Sequence, residues 1–138
     1  MTRFAARVAA LALLAQAAAA GAAGERPALR GVSAIRIANY GSPSVLLEGR
    51  DKVSPIVGEL NALRARAWRG GDTKLACYST LVVMSGRKIL GTFRIRPEHI
   101  VEREGARGTP IFSLALESGD LPRLGKLLAD IPPAKDCD

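Results

Sequence analysis

The chain has 138 residues, 48% apolar and 24% charged, and a formal net charge of +7. A chain this short and this apolar builds one small globular domain with a packed core, which excludes a multidomain machine and disorder throughout. Two cysteines and one histidine are too few for a zinc site of cysteine, of cysteine with histidine, or of three histidines unless carboxylates or a second subunit supply ligands. No metal and no cofactor is therefore expected.

Arg3 and Arg7 stand without an acid in the first seven residues, residues 8–14 are apolar, and an alanine-rich tract with small-x-small sites runs to Gly24. That order is the charged, apolar and cleavage region of a secretory signal peptide, so 1–24 is set aside as cleaved and 25–138 is the folding unit. No later stretch approaches the ~18 consecutive apolar residues of a membrane helix, so no transmembrane segment is expected. The expected location is periplasmic or secreted. In an oxidising compartment, Cys77 and Cys137 are expected to form a disulfide. It would close a loop of 60 residues, which on the chain-entropy model stabilises the fold by roughly 4 kcal/mol.

In chain order, residues 33–40 alternate Ile35 and Ile37 with polar or small neighbours. Residues 44–47 form a second short run after Gly41-Ser42-Pro43, giving a first hairpin. Val53, Ile56, Val57, Leu60 and Leu63 recur at helical spacing, with Asp51 or Ser54 as the expected cap, Pro55 in the first turn and an end near Trp68. Residues 75–84 are the strongest strand pattern, and Ser85-Gly86 followed by 88–96 gives the clearest hairpin signal. Alternation from the turn places Ala76, Tyr78, Thr80, Val82 and Met84 on the core face with Ile89, Gly91, Phe93 and Ile95. Leu75, Cys77, Ser79, Leu81 and Val83 then share the outer face with Lys88, Leu90, Thr92, Arg94 and Arg96, and a bond to Cys137 would draw the C-terminal segment across it.

Residues 99–101 and 111–116 read as two further strands joined by the polar 104–109 loop. Leu121, Leu124, Leu127, Leu128 and Ile131 mark a last helix capped by Ser118 or Asp120, with Pro122 near its start and Pro132-Pro133 as its stop. The order is ββα, ββ, ββα. This is an α+β class: a small single domain with a mainly antiparallel sheet, two helices on one face and one disulfide. Shifting the chain by 67 residues aligns the outer units with seven identities over the 23 positions 41–63, among them Leu47 with Leu114 and Pro55 with Pro122. Common ββα grammar and duplication both account for that likeness.

Chemistry is sparse. His99 beside Glu98 is a candidate general base, and Glu98, Glu102 and Glu104 would share one face of an extended strand, as a cofactor-free hydrolase requires. The chain carries no nucleophile elbow, phosphate loop, metalloprotease helix or dinucleotide fingerprint, so no catalytic residue is assigned.

Charge is the more informative pattern. Residues 64–96 hold eight basic groups against the single acid Asp72, whereas 98–138 hold five basic against eight acidic groups. The candidate binding residues are Arg64, Arg66, Arg69, Arg87, Lys88, Arg94 and Arg96. Their forked guanidinium groups suit carboxylate, phosphate or sulfate partners. Few aromatics and no binding-fold signature disfavour nucleic acid. The expected function is an exported, non-enzymatic binding module, inhibitor-like or accessory, that recognises an acidic protein surface through the basic central hairpin. The alternatives are an envelope protein that binds anionic lipid or glycan, and a hydrolase using His99 or the glutamates.

Overall fold

A computed structural model describes residues 24–104 and 110–137. Of the expected signal peptide, 1–24, residues 1–23 lie outside the described residues, as do residues 105–109 of the expected loop. Ile35 and Ile37, two residues apart, point to one face of β1 (Ala34–Ala38), and both are buried. β2 (Val45–Glu48), α1 (Arg50–Arg64), the two-residue β3 (Arg69–Gly70), β4 (Ser79–Ser85), β5 (Lys88–Arg96), β6 (His99–Glu104), β7 (Ile111–Ala115) and α2 (Pro122–Asp130) follow. The strands form one seven-stranded sheet in the order β2-β1-β4-β5-β6-β7-β3, every neighbouring pair antiparallel. The α+β class with two helices and one disulfide is as expected; β3 is an addition.

Both helices bury their apolar side chains in the same core as Ile35, Ile37, Leu81, Val83, Phe93, Ile100 and Leu114. α1 starts earlier than its composition implies. Gly49, at φ 95°, is its N-cap, and neither Asp51 nor Ser54 caps it, so Pro55 lies inside the helix and withholds one backbone bond. The helix also stops at Arg64, not at Trp68. Trp68 is instead bridged to Gly24 by two backbone hydrogen bonds of 2.9 and 3.0 Å, and its buried indole donates to the Leu63 carbonyl at 2.8 Å. At α2 neither Ser118 nor Asp120 is the cap. The Glu59 carboxylate of α1 accepts from the Arg123 and Leu124 amides at 2.6 and 3.1 Å, so one helix satisfies the first turn of the other.

The facing of β4 is a correction. Ser79, Leu81 and Val83 pair with Ile95, Phe93 and Gly91 on the core side, while Thr80, Val82 and Met84 lie on the outer face. Near the two-residue turn, Ser85 opposes Lys88 and Met84 opposes Ile89; beyond it, Val83 opposes Gly91, so Leu90 is an extra residue, a β-bulge. One added residue exchanges the two faces of the strand paired beyond it. Counting from the turn therefore places Leu81 and Val83 outside and Ile89 inside, whereas Leu81 and Val83 are buried and Ile89 is 43% exposed. The strand also begins at Ser79 because Cys77 takes a left-handed backbone, φ 53°, that an extended run cannot include.

A second correction concerns what covers the outer face. β3 is at one sheet edge and β4 is four strands away from it, so residues 71–78 must traverse the sheet. Asp72 and Tyr78 contact Arg94 of β5, and the Cys77 carbonyl contacts Arg96. Under this strap Val101 of β6 and Ser113 of β7 are buried although they face away from the helices. The C-terminal segment does not cross that face. It passes the turn after β1, where the Lys135 backbone amide donates to the Tyr40 carbonyl at 2.8 Å and the Asn39 side chain donates to the Leu128 and Pro132 carbonyls. From there Cys137 joins Cys77, with the Cα atoms 5.8 Å apart.

Candidate functional site

The seven basic residues singled out in the sequence separate into internal fasteners and free cations. Arg64, at the end of α1, is 4% exposed, donates to the Pro27 carbonyl at 2.5 Å and pairs with Glu102, which is fully buried. Glu102 stands on the core face between Phe93 and Phe112 in the strand register. A Cβ at Gly91 would lie 3.2 Å from its carboxylate, so that glycine leaves room for the charge. Arg26 completes the cluster. It lies over the Phe112 ring at 3.7 Å, donates to Glu104 at 2.6 Å and approaches Glu102 at 3.7 Å. Burial and the neighbouring Arg26 push the Arg64 guanidinium down to about 10, opposed by Glu104, and it keeps its charge at neutral pH.

Arg66 donates to Asp120 at 2.9 Å and ties the end of α1 to the loop before α2. The Glu117 amide and Arg66 together hold the Asp120 carboxyl below its ordinary range. Arg94 donates to Asp72 at 2.8 Å and lies 5.4 Å from the Tyr78 ring centre, fixing the strap. Among the described residues the contacts of Arg96 are long, 3.4 Å to the Cys77 carbonyl and 3.7 Å to Glu98.

Arg69 on β3, Arg87 in the turn and Lys88 at the start of β5 are exposed, and none has an ion-pair partner among the described residues. The turn is tight. Gly86 takes φ 59°, which suits the first position of a two-residue hairpin loop and leaves Arg87 and Lys88 at the tip. Beside this tip is the half of the outer face that the strap does not reach. Leu46 and Ile89, 45% and 43% exposed, lie there with half-buried Val82 and Met84. Arg36, directly opposite Leu46 and Val82 in the register, and Glu48, at the β2 end of the Ile89 row, are the charges interleaved with them. Sequence reasoning missed Leu46, Arg36 and the outward turn of Ile89, because each depends on which face is open.

The other candidates are not assembled. Glu98 precedes β6 and faces Arg96, whereas Glu102 and Glu104 are held by Arg64 and Arg26. The cross-strand neighbours of His99 are Arg96 and Ala115, neither a nucleophile nor a carboxylate. Among the described residues no three histidine, cysteine, aspartate or glutamate side chains gather as metal ligands. No helix among them is long and apolar enough to cross a membrane. The disulfide is compatible with an exported protein. No protein-family model, curated protein or solved structure matches the chain.

Proposed function

We propose that the protein is an exported, non-enzymatic binding module that docks on an acidic protein surface through the tip of the β4–β5 hairpin and the adjoining open half of the outer sheet face. The observation that carries this reading is a single patch where exposed Ile89 and Leu46 lie beside Arg87, Lys88 and Arg36, while most of the other basic candidates are engaged internally. Apolar side chains bordered by cations suit a protein interface: desolvated aliphatic contacts hold the complex, and the cations steer an acidic partner and set its orientation. Arg94 leaves the docking set because Asp72 and Tyr78 of the strap hold it, and Arg96 leaves it because it stands at the far end of β5 from the tip.

The test is affinity capture from envelope extract with the disulfide-bonded protein and its Arg87→Glu/Lys88→Glu variant, each at low and high salt. One acidic protein recovered by the wild type, and lost with the variant and with salt, is expected. Equal recovery by both proteins would overturn the reading. Sedimentation of the wild type with anionic phospholipid vesicles, lost in the same variant, would transfer the site to a membrane surface.

A further inference from the structure

α2 is nine residues long and has Gly125 in its interior. Glycine is the poorest helix former after proline, so a helical glycine normally answers to close packing or an unusual backbone angle. Neither holds at Gly125, where an added Cβ would meet no atom within 4 Å. The open space belongs to a cleft of about 440 Å³ between α2 and the end of the sheet. Ile95, Leu116, Leu121 and Leu128 supply its apolar wall. At roughly 30 Å³ per water-sized group this volume takes about fifteen non-hydrogen atoms, the scale of a small metabolite and not of a peptide.

Among the described residues that line it, Arg96 is the one cation. Its contacts to the Cys77 carbonyl at 3.4 Å and to Glu98 at 3.7 Å are longer than ordinary hydrogen bonds, so a carboxylate that makes a bidentate contact can compete for the guanidinium. Two acids also line the cleft. Asp120 is already bound by Arg66 and the Glu117 amide, and Glu117 is exposed to water. We infer that the cleft binds a small amphipathic monocarboxylate, its apolar chain along Ile95, Leu116, Leu121 and Leu128 and its carboxylate on the Arg96 guanidinium. The ligand displaces the long Glu98 contact. This site is separate from the hairpin tip and stands or falls independently of it.

Three probes with the same ten-carbon chain test it on the disulfide-bonded protein: decanoate, decanol and decylammonium, each below its micelle concentration. Calorimetry gives the affinity, and amide resonances of Leu116, Leu121 and Leu128 report the location. Decanoate is expected to bind about tenfold more tightly than decanol, the gain of a charge-assisted bidentate contact. Arg96→Gln abolishes that preference and leaves decanol binding unchanged. Gly125→Leu, which projects into open space, abolishes binding of both while the native amide spectrum persists; if that variant does not fold, Arg96→Gln decides alone. Absence of shifts at the cleft, equal binding of decanoate and decanol, retention of the preference in Arg96→Gln, or tighter binding of decylammonium would each overturn the assignment.

Discussion

Arg64 and Arg87 belong to the same basic stretch of sequence, yet one is closed inside the molecule against Glu102 and the other stands in solvent at the hairpin tip. The difference lies in what each neighbourhood provides. The end of α1 faces a carboxylate on β6, a backbone carbonyl and a second arginine, so the charge is compensated where water is excluded. Among the described residues the tip has no such partners, and its charge remains available. A run of cations in a chain is therefore a pool, and the fold withdraws from it whatever its own carboxylates and carbonyls demand before any surface is left for a partner.

The largest test of this contrast removes the buried acid. Glu102→Ala leaves Arg64 and Arg26 without their shared counter-charge and is expected to cost about 3–5 kcal/mol in urea denaturation. Glu102→Leu combined with Arg64→Met restores most of that loss, because a buried ion pair and an apolar pair of similar size are close in stability. A cost below about 1 kcal/mol for Glu102→Ala would place Arg64 with the exposed cations.

Arg94 is intermediate. Arg94→Ala removes the Asp72 pair and the Tyr78 contact and is expected to cost about 1 kcal/mol. The same variant speeds proteolysis within residues 71–78, whereas Arg87→Ala changes stability by less than about 0.5 kcal/mol and leaves the cleavage pattern alone.

The smallest effect belongs to Asp120, whose folded-state pKa is lowered by the Glu117 amide and Arg66. An acid with a lowered folded pKa contributes stability that is fully present above its ordinary value, 3.8, and is lost as pH falls through the lowered one. Asp120→Asn should therefore lower the urea midpoint at neutral pH and flatten its decline in acid. Parallel acid profiles for the two proteins would show that the Arg66 link is not fixed in solution.

Much of the architecture was legible before the structure. Ile35 and Ile37, the leucines of α2 and the Cys77–Cys137 pair are local periodicity and simple counting, and each falls where those rules put it. What escaped depends on distant partners. Trp68 leaves the helical pattern because Gly24 bridges it, Glu59 caps a helix 65 residues further on, and Cys77 breaks a strand whose side chains favour extension. The candidate site suffered the same limit: charge density marked the right stretch, but only the sheet register says that Glu102 takes Arg64 and that the strap takes Arg94. Gly125 carries no sequence signal, since an interior glycine over an open cleft reads like any other helical glycine.

Leu90 gives the hairpin an arithmetic of its own. With one residue looped out, the parity of β4 relative to β5 differs on the two sides of the bulge. A length change of one residue at the tip would turn Leu81 and Val83 to solvent and bring Met84 and Val82 inward, unless the bulge disappeared or moved with it. Changes by two residues would preserve both faces. Descendants of this chain are thus free to lengthen or shorten the basic tip in even steps, sampling new reach toward a partner while the core beneath it stays in register.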